Sequence, residues 1–248
     1  MTTSSQRPIG RVVVLGGGPA CAGIAQVIAQ AGYRVSLCGH SEMLGPARED
    51  VDGGRFGLLA AADAGRISRD ERWETLERLQ FSDAAGEAAA TADLAVVSHP
   101  GGPETLAPRL AEVDRQLPPE AVLAVDSGGE PLAVLATDLA LPERLVGWHW
   151  GWPPQLNKLA EIVAGPATAQ RAVEAVVQVA RRAGKNPVVV ADAPGSWGYV
   201  TNRIWAALRS EADRLVEENV ARPEQVDRLL VDCFGWPSGP FGRGADPQ

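Results

Sequence analysis

A run of apolar residues, Arg11-Val12-Val13-Val14-Leu15, leads without a spacer into Gly16-Gly17-Gly18-Pro19-Ala20-Cys21-Ala22-Gly23. A continuous apolar run of this length is expected of a strand covered on both faces. Ile24, Val27, Ile28 and Ala31 then recur at the spacing of one helix face, and Gly32 ends it. A strand, a glycine turn and a helix in immediate succession point to a doubly wound, mainly parallel α/β sheet of the Rossmann type.

The same succession binds a dinucleotide. Glycines allow the tight turn and the close approach of the pyrophosphate, and the helix N-terminus supplies amide donors and the positive end of its dipole. Gly16, Gly18, Pro19 and Ala20 are the expected contacts. The usual third glycine is Cys21 here, at a position that serves helix–strand packing and tolerates a small thiol. A second strand, Arg34 to Cys38, is followed by Gly39, His40 and Ser41, where a carboxylate normally holds the adenosine ribose. Gly39 and His40 are placed at the cofactor, and His40, Ser41, Arg34 and Arg48 are candidates to meet a 2′-phosphate. The cofactor is therefore read as NAD or NADP.

Further strands are read at Leu94–Ser98, Ala121–Val125, Arg144–Trp148, Leu159–Val163 and Pro187–Ala191. The pattern from Arg55 to Leu79 is helical with a break at Ala64-Gly65-Arg66, and Ser68 with Glu71 forms a capping-box signature. Another helix runs from about Glu104 to Leu117. In such sheets ligands gather at the carboxyl ends of strands. The turns at Gly16, Gly39, His99, Gly128 and His149 all follow strands and share that rim, and Pro100 is placed there beside the cofactor. Two helical segments, about Tyr199 to Asn219 and Pro223 to Phe234, follow the last strand. The expected division is a lead at 1–8, a nucleotide-binding domain with a helical hairpin at 9–191, and a small all-helical domain at 192–248.

The rim carries a proton-transfer pair. Gly147-Trp148-His149-Trp150-Gly151-Trp152-Pro153 is closed by Lys158-Leu159-Ala160-Glu161. Two adjacent strands joined by a Pro-rich loop bring His149 and Glu161 within hydrogen-bond reach. A carboxylate on one ring nitrogen fixes the tautomer and leaves the other nitrogen to move a proton. Trp148, Trp150, Trp152 and Trp197 are read either as an aromatic wall around a substrate or as core and interface packing.

A formal net charge of −8 argues against non-specific nucleic-acid binding, which needs a basic surface. No apolar run is long enough to span a bilayer. Met1 to Pro8 is polar, lacks the apolar core of a signal peptide, and is expected to be a disordered lead. Cys21, Cys38 and Cys233 have no metal spacing and fit reduced thiols in a cytoplasm.

Taken with Gly23-Ile24-Ala25-Gln26, Gly65-Arg66-Ile67-Ser68, Gly147-Trp148-His149, Lys158-Leu159-Ala160-Glu161, Gly165-Pro166-Ala167-Thr168 and Gly184-Lys185, the chain resembles the L-3-hydroxyacyl-CoA dehydrogenase family. Asn186-Pro187-Val188, Asp192-Ala193-Pro194-Gly195, Val200-Thr201-Asn202-Arg203 and Gly235-Trp236-Pro237-Ser238-Gly239-Pro240-Phe241 extend the resemblance from Val12 to Phe241. The resemblance implies hydride exchange between NAD and the C3 hydroxyl of an acyl-CoA; the substrate is read as a 3-hydroxyacyl thioester on CoA or a carrier protein, in fatty-acid or secondary metabolism. It implies catalytic roles for His149, Glu161 and Asn202, and a helical domain that forms a homodimer.

The departures fall on the substrate side. The family's Asn-Thr-Ser-Ser turn reads Asp126-Ser127-Gly128-Gly129, so the substrate-binding hydroxyl becomes Gly128, with Ser127 one position earlier. The family's His-Phe-Phe-Asn-Pro reads His149-Trp150-Gly151-Trp152-Pro153, so an amide becomes Trp152. A family Glu after the Leu94–Ser98 strand is Gly101, and three extra residues near Ser196-Trp197-Gly198 precede Asn202. Proton chemistry kept on an altered rim suggests a changed substrate. The alternatives are a same-fold oxidoreductase acting on a non-thioester hydroxy or oxo compound, and a binding homologue that has lost catalysis.

Overall fold

The computed structural model describes residues 8–98, 102–193 and 195–242. The expected lead at 1–8 lies outside them except for Pro8, as do His99, Pro100, Gly101 and Pro194. The chain opens with β1 (Arg11–Leu15), α1 (Pro19–Gln30), β2 (Arg34–Cys38), α2 (Ser41–Asp52), α3 (Leu58–Asp63), α4 (Arg69–Glu77) and β3 (Leu79–Ser82). It continues through α5 (Ala85–Ala90), β4 (Leu94–Ser98), α6 (Pro103–Gln116), β5 (Val122–Asp126), α7 (Leu132–Leu135), β6 (Leu145–Trp150), β7 (Leu159–Ala164), α8 (Gln170–Arg182) and β8 (Asn186–Ala191). Two further helices follow, α9 (Thr201–Glu217) and α10 (Pro223–Phe234).

The strands form one sheet in the order β3-β2-β1-β4-β5-β6-β7-β8. Its neighbours run parallel apart from β6 and β7, which are antiparallel. The reversal of direction from β3-β2-β1 to β4-β5-β6 opens the crevice in which such folds bind ligands. It lies beyond β1 and β4, at the Gly16–Gly18 turn.

Alternation along the strands decides what each face carries. Val12 and Val14, Val35 and Leu37, Val122 and Ala124, and Trp148 and Trp150 join one core with α1 and α8. Ile24 and Ile28 of α1 are fully buried in it, each contributing about 1.5–3 kcal/mol relative to exposure. That burial fixes the helix whose N-terminus borders the crevice. His149, between the two tryptophans, points to the other face.

Two sequence expectations are corrected. The reading of Arg55 to Leu79 as helical fails at its end, because Leu79 begins β3, which pairs in parallel with β2. Four residues are too few to show a period. The reading of Trp148 and Trp150 as a substrate wall also fails. Both are buried, stacked with centroids 4.4 Å apart, and on the face opposite His149.

By its internal packing the chain forms two compact units, Met1–Trp197 and Gly198–Gln248. The boundary expected near Ala191 coincides with the end of β8, and the first unit runs on to Trp197. In the second unit Arg209 donates to the Pro240 carbonyl at 2.9 Å and covers the Phe241 ring. The Phe241 N–H donates to Asp227 at 2.8 Å, so the Gly239-Pro240-Phe241 segment folds back on α9 and α10.

Candidate active site

The glycine turn is shaped by its neighbours. Gly16 has φ +145°, and a Cβ there would sit 2.1 Å from the Ser98 carbonyl oxygen. Gly39 approaches the same turn, since its Cβ would lie 2.7 Å from the Gly16 carbonyl. Gly18 has φ +92° with open space beside it, and Met43 of α2 lies over Gly17. As N-cap of α1, Gly18 supplies no side-chain acceptor, and Pro19 occupies the first turn. The first-turn amides of α1, including that of Ala20, and the open flank at Gly18 fit a dinucleotide pyrophosphate. His40 is the N-cap of α2, at the end of β2 where the adenosine would lie. Pro100, the remaining expected cofactor contact, falls outside the described residues.

On the other side of the crevice, β6 and β7 are paired so that His149 and Glu161 are direct cross-strand partners. The two side chains therefore share a face, and His149 Nδ1 lies 2.9 Å from Glu161 Oε2. The carboxylate is 3% exposed and the imidazole 13%. A carboxylate so buried keeps its hydrogen bond free of competing water and presents the Nδ1–H tautomer. In this tautomer Nε2 carries the basic lone pair of the ring.

Asp126 stands at the end of β5, where the sequence marks it only as part of a turn. It ties three strands together. One carboxylate oxygen accepts from Ser98 Oγ of β4 at 2.8 Å and the other from the Trp150 N–H of β6 at 3.3 Å. Burial pushes its carboxyl up to about 6, opposed by the Ser98 bond, the nearby His149 and the Trp150 bond. Cys21 Sγ lies 3.6 Å from the Ser98 carbonyl oxygen, and burial raises its thiol to about 11, so it is an inert packing group.

The β5–β6 register pairs Val125 with Gly147. Carried two residues further, it sets Ser127 level with His149. Ser127 is buried, and Gly128 is exposed. Trp197 packs on Gly128: a Cβ at that position would lie 3.2 Å from the indole. Trp152 is 38% exposed in the loop leaving β6. In that loop Asn157 lies against Gly151, where a Cβ would meet its amide at 2.3 Å. Lys185 anchors the loop, donating to the Pro154 carbonyl and to the Asn157 carbonyl at 2.7 Å. Burial pushes its ammonium down to about 8. Neither Asp126 nor Lys185 had a sequence signal beyond its motif. Asn202 is the second residue of α9, in the second unit.

Among the described residues no group of three or more His, Cys, Asp or Glu is placed to hold a metal, and no helix is long and apolar enough to cross a membrane.

Residues 11–193 match the 3-hydroxyacyl-CoA dehydrogenase NAD-binding domain, and residues 198–244 match the C-terminal domain of the same family. A 3-hydroxyadipyl-CoA dehydrogenase of Escherichia coli K12 is 34% identical over 232 residues, covering 93% of this chain and 47% of that protein. A 5-formyl-3-hydroxy-2-methylpyridine 4-carboxylate 5-dehydrogenase of Mesorhizobium japonicum is 35% identical over 162 residues, covering 65% of this chain and 50% of that one. The chain thus spans about half the length of these two curated relatives. The crystal structure of FadB2 from M. tuberculosis superposes with a TM-score of 0.86 at 28% identity, covering 94% of this chain and 81% of that one. The glycine crevice, the paired His149 and Glu161, and two domain matches in the family's own order together place this chain in the 3-hydroxyacyl-CoA dehydrogenase family.

Proposed function

We propose that the protein interconverts the 3-hydroxy and 3-oxo groups of an acyl thioester, carried on CoA or a carrier protein, with a nicotinamide dinucleotide as redox partner. The observation that carries this reading is the buried Glu161 carboxylate holding His149 Nδ1 at 2.9 Å, from which proton exchange is assigned to Nε2. The bound nicotinamide supplies or accepts the hydride. In the reducing direction His149, as imidazolium, gives its Nε2 proton to the carbonyl oxygen as C3 takes up hydride, leaving a hydroxyl and a neutral imidazole. Glu161 stabilises the charged ring before transfer and holds its orientation afterwards. Ser127 is assigned to the substrate oxygen from the β5 turn, with Gly128 and Trp152 at the edge of the pocket. Asn202 is assigned to the same oxygen and the nicotinamide, as the family resemblance implies.

At the adenosine end Gly39 follows Cys38 in place of the usual ribose-binding carboxylate, which removes the main group that selects against a 2′-phosphate. NADPH is expected to bind within about tenfold of NADH, a gap of about 1.4 kcal/mol. Loss of nicotinamide absorbance with 3-oxobutyryl-CoA tests the reading. His149→Ala is expected to lower kcat by about 10²–10⁴ and to leave the NADH dissociation constant within twofold. Turnover unchanged in that variant rejects the assignment.

A second reading is supported by the M. japonicum relative, whose name gives a pyridine carboxylate rather than a thioester. In that reading the same proton pair serves a small hydroxy or oxo compound. It is favoured if NADH binds and no thioester is reduced.

A further inference from the structure

The three extra residues around Trp197 and the loss of a side chain at position 128 look unrelated in the sequence. The structure brings them together. The indole lies on the Gly128 backbone, with Cζ2, Nε1 and Cε2 at 3.2, 3.5 and 3.6 Å from where a Cβ would stand. A Cβ at 128 requires the ring to give by a few tenths of an ångström. Gly128 is therefore the seat of the indole as well as a missing hydroxyl.

Trp197 remains 56% exposed, so it is seated on one side and open on the other. Its seat is the turn that follows β5, one residue past the position level with His149. A second indole, Trp152, is 38% exposed where the chain leaves β6. Large flat apolar surfaces left uncovered at a strand-end rim are suited to a flat partner. An aryl ring laid on an indole gains about 0.5–1.5 kcal/mol beyond area burial, about two- to tenfold, and an alkyl chain does not.

We propose that Trp197, seated on Gly128, is a specificity-determining residue whose open face stacks on the acyl end of the substrate and selects an aryl group there. The inference rests on the thioester reading above and names its substrate class. The preferred substrate is a 3-aryl-3-oxopropionyl thioester or its 3-hydroxy counterpart. Its carbonyl stands at His149 while its ring lies on Trp197.

The test compares 3-oxo-3-phenylpropionyl-CoA with 3-oxobutyryl-CoA, using NADH and the full chain. Wild type is expected to show the higher kcat/KM on the phenyl substrate. Trp197→Ala is expected to lower kcat/KM on that substrate about five- to tenfold and to stay within twofold on the butyryl one. Trp197→Phe should keep most of the preference. Gly128→Ser should reproduce the loss in the wild-type background and add little to Trp197→Ala, because both act on one contact. NADH affinity within twofold of wild type checks that each variant is folded. A wild-type preference for the butyryl substrate, or an equal effect of Trp197→Ala on both, overturns the inference and leaves the functional reading standing. Binding of NADH with reduction of neither thioester overturns the functional reading, and this inference with it.

Discussion

Asp126 shows how much one residue changes at this rim. The family resemblance puts an Asn at its position, and an amide can replace its two hydrogen bonds. It can accept from the Trp150 N–H and donate to Ser98 Oγ. What the carboxylate adds is a charge that the site holds poorly. Its carboxyl is raised to about 6 from an ordinary 3.8, mainly by burial. The folded protein therefore holds this proton more tightly than the unfolded chain. Stability from this group falls as pH rises from about 4 to about 6, and stays low above that. Asp126→Asn should flatten this dependence. It should stabilise the protein at pH 8 by about 1–2 kcal/mol, a figure discounted for the partial exposure of the residue. Melting temperatures at pH 5 and pH 8 check it. An identical pH dependence in both proteins means that the burial cost has been misassigned. His149 and Glu161, by contrast, were readable from residue type and spacing. The twelve-residue interval fits a strand, a turn and a returning strand.

At the scale of elements, the loop from Gly151 to Lys158 links the two halves of the proton pair, and its geometry is held from outside. Lys185, at the start of β8, donates to two carbonyls of that loop. The Lys185 ammonium also lies 5.4 Å from the Trp150 ring centroid. Lys185→Met should leave buried carbonyls without a donor. The expected cost is about 2–4 kcal/mol, seen as a lower denaturation midpoint, with a fall in kcat larger than any change in NADH affinity. A variant with wild-type stability and kcat shows that the loop holds itself. A second tie lies away from the site. The Arg144 guanidinium pairs with Asp114 at 2.7 Å, both nearly inaccessible, and also donates to the Pro118 carbonyl. It joins the end of α6 to the start of β6. Removing one member of a buried pair strands the other charge. Asp114→Ala should therefore cost about 3–5 kcal/mol in chemical denaturation, with a loss below 1 kcal/mol rejecting the role. Neither tie was legible beforehand, because each joins residues about thirty positions apart with no periodicity between them.

For the whole molecule, the second unit leaves much apolar surface uncovered. Ile204 and Trp205 of α9, and Leu229 and Phe234 of α10, are each about half exposed or more. Two helices and a folded-back tail have little core of their own. Among the described residues of this unit, Tyr199, Ala212, Val226 and Pro240 are the buried apolar side chains. We infer a homodimer that covers this surface, in line with the family resemblance. Sedimentation at micromolar concentration should give twice the mass of 26.1 kDa. Ile204→Glu with Leu229→Glu should shift it toward the monomer, and a monomeric wild type at that concentration contradicts the assignment.

The sequence by itself determined the β1–turn–α1 unit, because a buried strand, three glycines and an apolar helix face each report on backbone and burial locally. It also determined most of the strands, the Ser68–Glu71 capping box, and the pairing of His149 with Glu161. It left α2, α5, α7 and α8 unassigned and missed β3, which is too short to show alternation. Only the tertiary structure decided which tryptophans face the site. Trp148 and Trp150 go to the core by strand alternation, whereas Trp197 is placed by a glycine 69 positions away. Only the tertiary structure, likewise, raised Asp126 and lowered Lys185, since desolvation depends on everything packed around a group and on nothing in its neighbours along the chain.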